Sequence, residues 1–388
     1  MGDALGMYLI RRAREEDLDT LLKLAKMVHF INLPADKDII ADKIRRSQRS
    51  FRAAATGEPA SFDDSGLGLG RHAPLFMFVI ADAVTGNALG TSSIIARMGG
   101  PGNPNIALEL SRRELFSVDL QTGMTHIIGR LVLDESGPTE IGGLILGPSY
   151  RNHPDKIGKQ LSLVRFHYMG LHREQFADRV LAEMMGPITP DGQNSFWEYF
   201  GRRFINLTYY EADKFCQYSR EFMISLLPKE DIYLTLLPPE ARALLAKVGP
   251  ETLPARRMLE NLGFRYPGRV DPFDGGPHLE ARTAEIELVR NTRRAEFGGA
   301  CAENEARGRA FVSVESDRGE FRCVYAPFVE RGDTILIPPG HAELLEIDRG
   351  ERIGFTPVET GERKTLRESG ATAESAKAAT SGRKRVGS

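Results

Sequence analysis

The stretch from Glu140 to Arg165, EIGGLILGPSYRNHPDKIGKQLSLVR, carries the clearest fold signal in the chain. Glu140 to Leu146 is short, almost wholly apolar and bounded by Gly147-Pro148, as a buried strand is. Gly147 to Lys156 is a loop of turn formers. Ile157 opens a long apolar-rich helix that runs to about Gln175. A helix N-terminus offers free N–H groups and the positive end of its dipole, so a strand, a basic loop and a helix in this order make an anion site. Arg151, Lys156 and Lys159 supply charge there, and Gly158 lets the backbone approach a ligand. The loop lacks the GKS or GKT of a Walker A motif, and it is not GxGxxG followed by an acid.

Upstream, Met7 to Arg11 predicts a strand and Glu15 onward an amphipathic helix with acids in its first turn. A second helix is expected from about Asp36 to Phe51, then a Gly, Ala, Ser, Asp and Pro-rich loop from Ala54 to Pro74. Leu75 to Ala81 and Ala88 to Ile95 form a hairpin around Thr85-Gly86-Asn87. Glu114 to Leu120 and Gly129 to Asp134 look extended. Downstream, Asp178 to Met184 predicts a strand and Ser195 to Arg202 a helix. The order indicates an α+β fold with a mixed sheet.

Helix–Gly endings recur at Asn194–Phe204 and Ala255–Tyr266, a hint of two related lobes. After Asn291 short extended runs sit between turns, as a small C-terminal β domain would. The expected division is an N-terminal lobe over 1–215, a second lobe over 216–295, a β appendage over 296–358 and a disordered tail over 359–388.

A chain of 388 residues exceeds one ordinary core, which agrees with that division. Lys plus Arg number 51 and Asp plus Glu 53, so the net charge of −2 gives no general field for nucleic acid. Three cysteines, Cys216, Cys301 and Cys323, without CxxC spacing exclude a disulfide scaffold and a thiolate metal cluster, and no metal site is expected. The N-terminus does not read as a signal peptide, and no apolar run reaches bilayer length. A soluble, cytoplasmic protein without a membrane or nucleic-acid partner is expected.

Whole segments then resemble a known family. They are FMFVIADAVTGNALG (76–90), Ala182-Glu183-Met184, Ser195-Phe196-Trp197, Gly201-Arg202-Arg203-Phe204, Ala212-Asp213, Gly263-Phe264-Arg265-Tyr266, Asp271 and Phe273-Asp274-Gly275-Gly276-Pro277. In this order, over roughly residues 7 to 290, they resemble the bacterial arginine N-succinyltransferases, including the paired arginine/ornithine succinyltransferase subunits. The loop after Leu146 likewise resembles the pyrophosphate loop of GNAT acyltransferases, though it is about two residues longer than the family's.

The resemblance implies a GNAT-like fold and transfer of succinyl from succinyl-CoA to the α-amino group of arginine, in arginine catabolism. Succinyl-CoA would be a co-substrate, with no permanently bound cofactor, and the chain would form a homo- or hetero-oligomer with a homologous subunit. The family's succinyl-CoA-binding leucine falls on Leu144, beside the phosphate ligands Arg151, Lys156, Gly158 and Lys159. The family's proposed proton donor, a histidine, falls on Gly249, which cannot exchange a proton. The substitutes are Glu140, a base placed as in GNAT folds, and His278, directly after the FDGGP segment. Asp271 and Asp274 are the candidates for the acceptor's guanidinium, since carboxylate and guanidinium match in a bidentate fit. Gly249 leaves two rival readings: an acyltransferase with a changed donor or acceptor, and a non-catalytic partner subunit. His167 and His172, near Arg165 and Arg173, suggest a solvated helix face.

Overall fold

The computed structural model describes residues 7–27, 33–58, 63–64, 71–189, 192–216 and 219–360. Of the loop expected from Ala54 to Pro74, residues 59–62 and 65–70 lie outside the described residues, as do residues 361–388 of the expected 359–388 tail. Strand β1 (Tyr8–Arg12) leads into helices α1 (Leu18–Lys26) and α2 (Lys37–Ala55). Asp36 caps α2, its Oδ1 accepting from Asp38 N at 3.0 Å and Ile39 N at 3.2 Å. A two-residue ladder, β2 (Asp63–Asp64) and β3 (Arg71–His72), precedes the hairpin β4 (Leu75–Asp82) and β5 (Ala88–Ile95). A longer hairpin follows, β6 (Asn105–Ser117) and β7 (Thr122–Asp134), and then β8 (Thr139–Leu146), α3 (Ile157–Leu171) and β9 (Arg179–Glu183). The extended stretches at 114–120 and 129–134 are parts of that longer hairpin.

Short helices fill residues 195–261, interrupted by β10 (Ile232–Tyr233); β11 (Arg269–Val270) and β12 (His278–Arg282) follow. β10 and β11 flank the β6–β7 hairpin in a four-stranded sheet. The C-terminal strands are β13 (Arg293–Ala300), β14 (Gly308–Glu315), β15 (Phe321–Pro327), β16 (Val329–Arg331), β17 (Thr334–Ile337) and β18 (Arg352–Thr360).

One mixed sheet of twelve strands organises the chain, in the order β12-β9-β8-β5-β4-β1-β15-β14-β18-β13-β17-β16. The strands expected as a C-terminal appendage continue this sheet, because β1 pairs with β15 through Ile10↔Cys323 and Arg11↔Arg322. β4 is buried along nearly its whole length, which is why it reads as an unbroken apolar run. Phe76, Phe78 and Ile80 face the α3 side of the core. Leu75, Met77 and Val79 face Ile40 and Ile44 of α2.

The C-terminal strands also correct the reading of a solvated face on α3. His167 is fully buried between β14 and β18: Nδ1 lies 2.6 Å from Thr356 Oγ1 and Nε2 2.7 Å from Ser313 Oγ. Burial drives its pKa down to about 3, so it is a neutral donor–acceptor between two hydroxyls. His172 is buried against Glu315, Nε2 to Oε1 at 2.6 Å. The strands covering this face come from more than 140 residues downstream, so local sequence showed only polar side chains.

Candidate active site

β8 is paired to β5 along its length, from Gly90↔Leu146 to Ile95↔Glu140. It is paired to β9 only at Thr139↔Val180 and Glu140↔Leu181. Past Glu140 the two parallel strands part, and residues 141–146 have no strand partner on that side among the described residues. A register shift against β5 between Thr91 and Ser93 marks where β8 bends, and Gly143 sits there at φ +58. A bulge of this kind bends one strand away from its neighbour. Glycine is needed, because a Cβ at 143 would lie 2.9 Å from Ser93 Oγ as well as being strained.

The opening exposes backbone N–H and C=O groups of a strand edge, which an extended ligand with amide groups can pair with. Leu144 lies in this stretch, half-buried against the α3 core. At the open end stand the loop and the first turn of α3. Lys156 holds a left-handed conformation, φ 51 and ψ 44, and N-caps the helix without a side-chain cap. Arg151 meets Glu251 at 3.2 Å and Lys159 meets Glu359 at 3.2 Å, both pairs exposed. Such pairs are worth little, so either cation can turn to a phosphate at small cost. A Cβ at Gly158 would meet only Leu146 Cδ2, at an ordinary 3.6 Å. The fold does not demand glycine there, so the open approach it leaves is available to a ligand.

At the closed end of the opening lies Glu140, 1% exposed and strand-paired on both sides. Its side of β8 borders a cavity of about 20 Å³, lined by Lys43, Met77, Thr91, Ser93, Gly142 and Gly143 among others. Burial, then neighbouring Arg46, lowers the Lys43 pKa to about 8, while Glu140 acts in the opposite direction. Arg220, which donates to Asn105 Oδ1 at 3.2 Å, is held charged by Glu183, Glu140 and Asp271 against its burial.

Beyond Glu140 the charges turn acidic. One ligand atom each of Glu183, Asp271 and His278 lie within 4.8 Å of one another. His278 is 1% exposed, since β12 pairs with β9 and sets His278 opposite Glu183. Its Nε2 lies 3.9 Å from Glu183 Oε1 and has no hydrogen-bond partner among the described residues. Burial lowers its pKa. Asp271 is raised well above the usual range by burial and by Asp274 and Glu183. Its Oδ1 accepts from Phe273 N at 2.6 Å.

Asp274 is occupied differently. Oδ2 accepts from Gly186 N at 2.8 Å and Oδ1 from Gly276 N at 2.7 Å, and burial pushes its pKa up to about 6. Gly275 turns at φ +73, and a Cβ at Gly276 would come 2.0 Å from Met184 O. The FDGGP segment is thus a turn bound tightly to the exit of β9. Gly249 is buried on the same exit, where a Cβ would meet Gly186 O and Pro187 Cα at 3.8 Å. Through Glu251 its loop reaches Arg151.

Two of the expected groupings therefore lie at opposite ends of one opening: Leu144, Arg151, Lys156, Gly158 and Lys159 along it and at its mouth, Glu140, Asp271 and His278 at its base. Lys43, Glu183, Asp213 and Arg220 were not singled out from sequence. Lys43 sits in an amphipathic helix and Arg220 in a loop, and neither carries a local motif. Glu183 and Asp213 alone had a signal, inside the Ala182-Glu183-Met184 and Ala212-Asp213 blocks.

The family described as "Arginine N-succinyltransferase beta subunit" matches residues 8–288. A protein of Yersinia enterocolitica named arginine N-succinyltransferase is 29% identical over 349 residues, covering 89% of this chain and 96% of that protein. One of Citrobacter koseri with the same name is 32% identical over 292 residues, covering 74% and 79%. The solved structure of arginine/ornithine succinyltransferase subunit AI from Pseudomonas aeruginosa superposes with a TM-score of 0.74 at 25% identity, covering 91% of this chain and 99% of that one.

Proposed function

The chain belongs to the arginine N-succinyltransferase family, and we propose that the β8–β9 opening is where it moves succinyl from succinyl-CoA to the α-amine of L-arginine. It is an acyltransferase of arginine catabolism with an α+β, GNAT-like fold. The observation that carries the assignment to the opening is its polarity: phosphate-type ligands at the mouth, a bare strand edge along the wall, buried carboxylates at the base.

In this reading the pyrophosphate lies against the α3 N-terminus, with Arg151, Lys156 and Lys159 around it and Gly158 allowing close approach. The pantetheine amides pair with the β8 edge near Leu144. The thioester then lies near Gly142. Asp271, with Glu183, receives the guanidinium, while Asp274 holds the turn that presents Asp271. The amine must be neutral to attack, so Glu140 takes its proton. The C–N bond forms, the adduct nitrogen gives its second proton to His278, the C–S bond breaks, and CoA leaves as the thiolate. The thiolate is a modest base, with a thiol pKa near 8.5, so it leaves without obligatory protonation; His278, which burial keeps neutral, takes the proton given up by the new amide nitrogen and can pass it to the sulfur. This division of labour offsets Gly249, and acid–base help of this kind is worth about 10²–10⁴-fold.

The three cysteines are unpaired, which supports a cytoplasmic setting. Among the described residues no helix is long and apolar enough to cross a membrane. The β6–β7 hairpin tip leaves Leu115, Phe116, Val118, Leu120 and Met124 between 48% and 75% exposed, which supports pairing with a second, homologous chain.

Thiol release from succinyl-CoA, measured against arginine, ornithine and lysine, tests the reading. Release with arginine is expected. No release with any amine refutes catalysis by the isolated chain and favours the partner-subunit reading that Gly249 raises.

A further inference from the structure

Arg165 is 3% exposed and lies mid-way along α3, the helix whose first turn stands at the mouth of the opening. Nε donates to Ser162 O at 2.9 Å and Nη2 to Ser162 Oγ at 2.6 Å. Nη1 points to Gly142 O at 3.4 Å, two residues past the last β8–β9 pair. Among the described residues no carboxylate pairs with it. Burial alone lowers its pKa to about 9, without a contribution from any neighbouring charge. The contrast with His172, which caps the C-terminus of the same helix and has Glu315, is direct. A buried guanidinium without an anion is among the costliest groups a core can hold. Ser162 fixes the fork in place but brings no charge.

The anion it is built for can be read from its level in the opening. Arg165 stands about 12 Å along α3 from the first turn, too far for the diphosphate there. It stands level with Gly142, where the thioester lies. The remaining anion at the acyl end of the donor is the free carboxylate of a dicarboxylic acyl group.

We propose that Arg165 binds the distal carboxylate of the acyl group and so selects succinyl over monocarboxylic donors. The assignment rests on the reading that an acyl-CoA occupies the β8–β9 opening. It is tested by calorimetric binding of succinyl-CoA and butanoyl-CoA, which differ by that carboxylate, to the full chain and to Arg165→Met and Arg165→Lys. The intact chain is expected to prefer succinyl-CoA by about 30-fold or more. Arg165→Met should abolish the preference, leaving butanoyl-CoA affinity within about threefold, and Arg165→Lys should keep part of it. Equal loss for both donors, or a preference that survives in Arg165→Met, overturns the proposal. Where Arg165→Met does not fold, Arg165→Gln reads the same comparison. A chain that shows the preference but releases no thiol with arginine refutes the acceptor reading and supports the Arg165 assignment.

Discussion

The main sheet contains two parallel strand pairs, and they behave differently. β13 and β17 stay paired from Glu296↔Thr334 to Ala300↔Ile337, crossing an irregularity between Phe297 and Gly299 without separating. β8 and β9 pair at two positions and then part. A bulge alone therefore does not open a parallel pair. What distinguishes β8–β9 is its surroundings: the N-terminus of α3 at one end, and buried Glu140, Asp271 and His278 with half-buried Glu183 at the other. Around β13 and β17 the described residues form an apolar core of Phe297, Ile335, Ile337 and Ile353. One pair is closed by packing, and the other is held open by polar groups that packing cannot satisfy.

The sharpest way to break this comparison is at the base of the opening. Glu140→Gln should lower kcat by about 10²-fold or more while leaving KM for arginine within about threefold. Steady-state kinetics over both substrates checks it, and an unchanged kcat removes Glu140 from the chemistry. Next in size is the turn that closes the base. Gly276→Ala places a Cβ 2.0 Å from Met184 O, so thermal unfolding should show a loss on the order of 3 kcal/mol. A stability within about 0.5 kcal/mol of the parent would contradict the close approach.

A titration sharpens the same point. Burial, then Asp274, pushes Asp213 up to about 7. The native chain therefore keeps a proton on Asp213 through a window where the unfolded chain, near 3.9, has lost it. The native state binds more protons between about pH 4 and 7, so this group's contribution to stability falls as pH rises through that window. Asp213→Asn should flatten the fall, by on the order of 2 kcal/mol between pH 4 and 8 in denaturant titrations. Parallel pH profiles for the two proteins would refute it.

The smallest expected effect is at the mouth. Gly158→Ala has room in the fold and removes a glycine from a helix, so it should stabilise by about 0.5 kcal/mol. It should nonetheless raise KM for succinyl-CoA several-fold, because the methyl group stands where the phosphate approaches. A raised Tm with an unchanged KM would place the phosphates elsewhere.

What the sequence showed and what it hid follow the same division. The strand–loop–helix at Glu140–Arg165 was legible because every signal in it is local: an apolar run, turn residues, a helix start. The mouth of the site, Arg151 to Lys159, was legible for that reason. The FDGGP turn was legible because positive φ and close approach demand glycine. The base was less so. Lys43, Glu183 and Arg220 belong to a helix, a strand and a loop far apart in the chain, and only the topology gathers them. The far half of α3 was misread, because Arg165, His167 and His172 look like a wet surface until β14 and β18 are laid over it. Those same strands were expected as a separate unit, since nothing local shows that β15 will find β1.

Hydrogen exchange shows whether an acyl-CoA enters between β8 and β9. Adding succinyl-CoA should protect the amides of residues 141–146 and 156–159, while those of β13 and β17 stay unchanged. Binding without protection at 141–146 would rule out entry between β8 and β9.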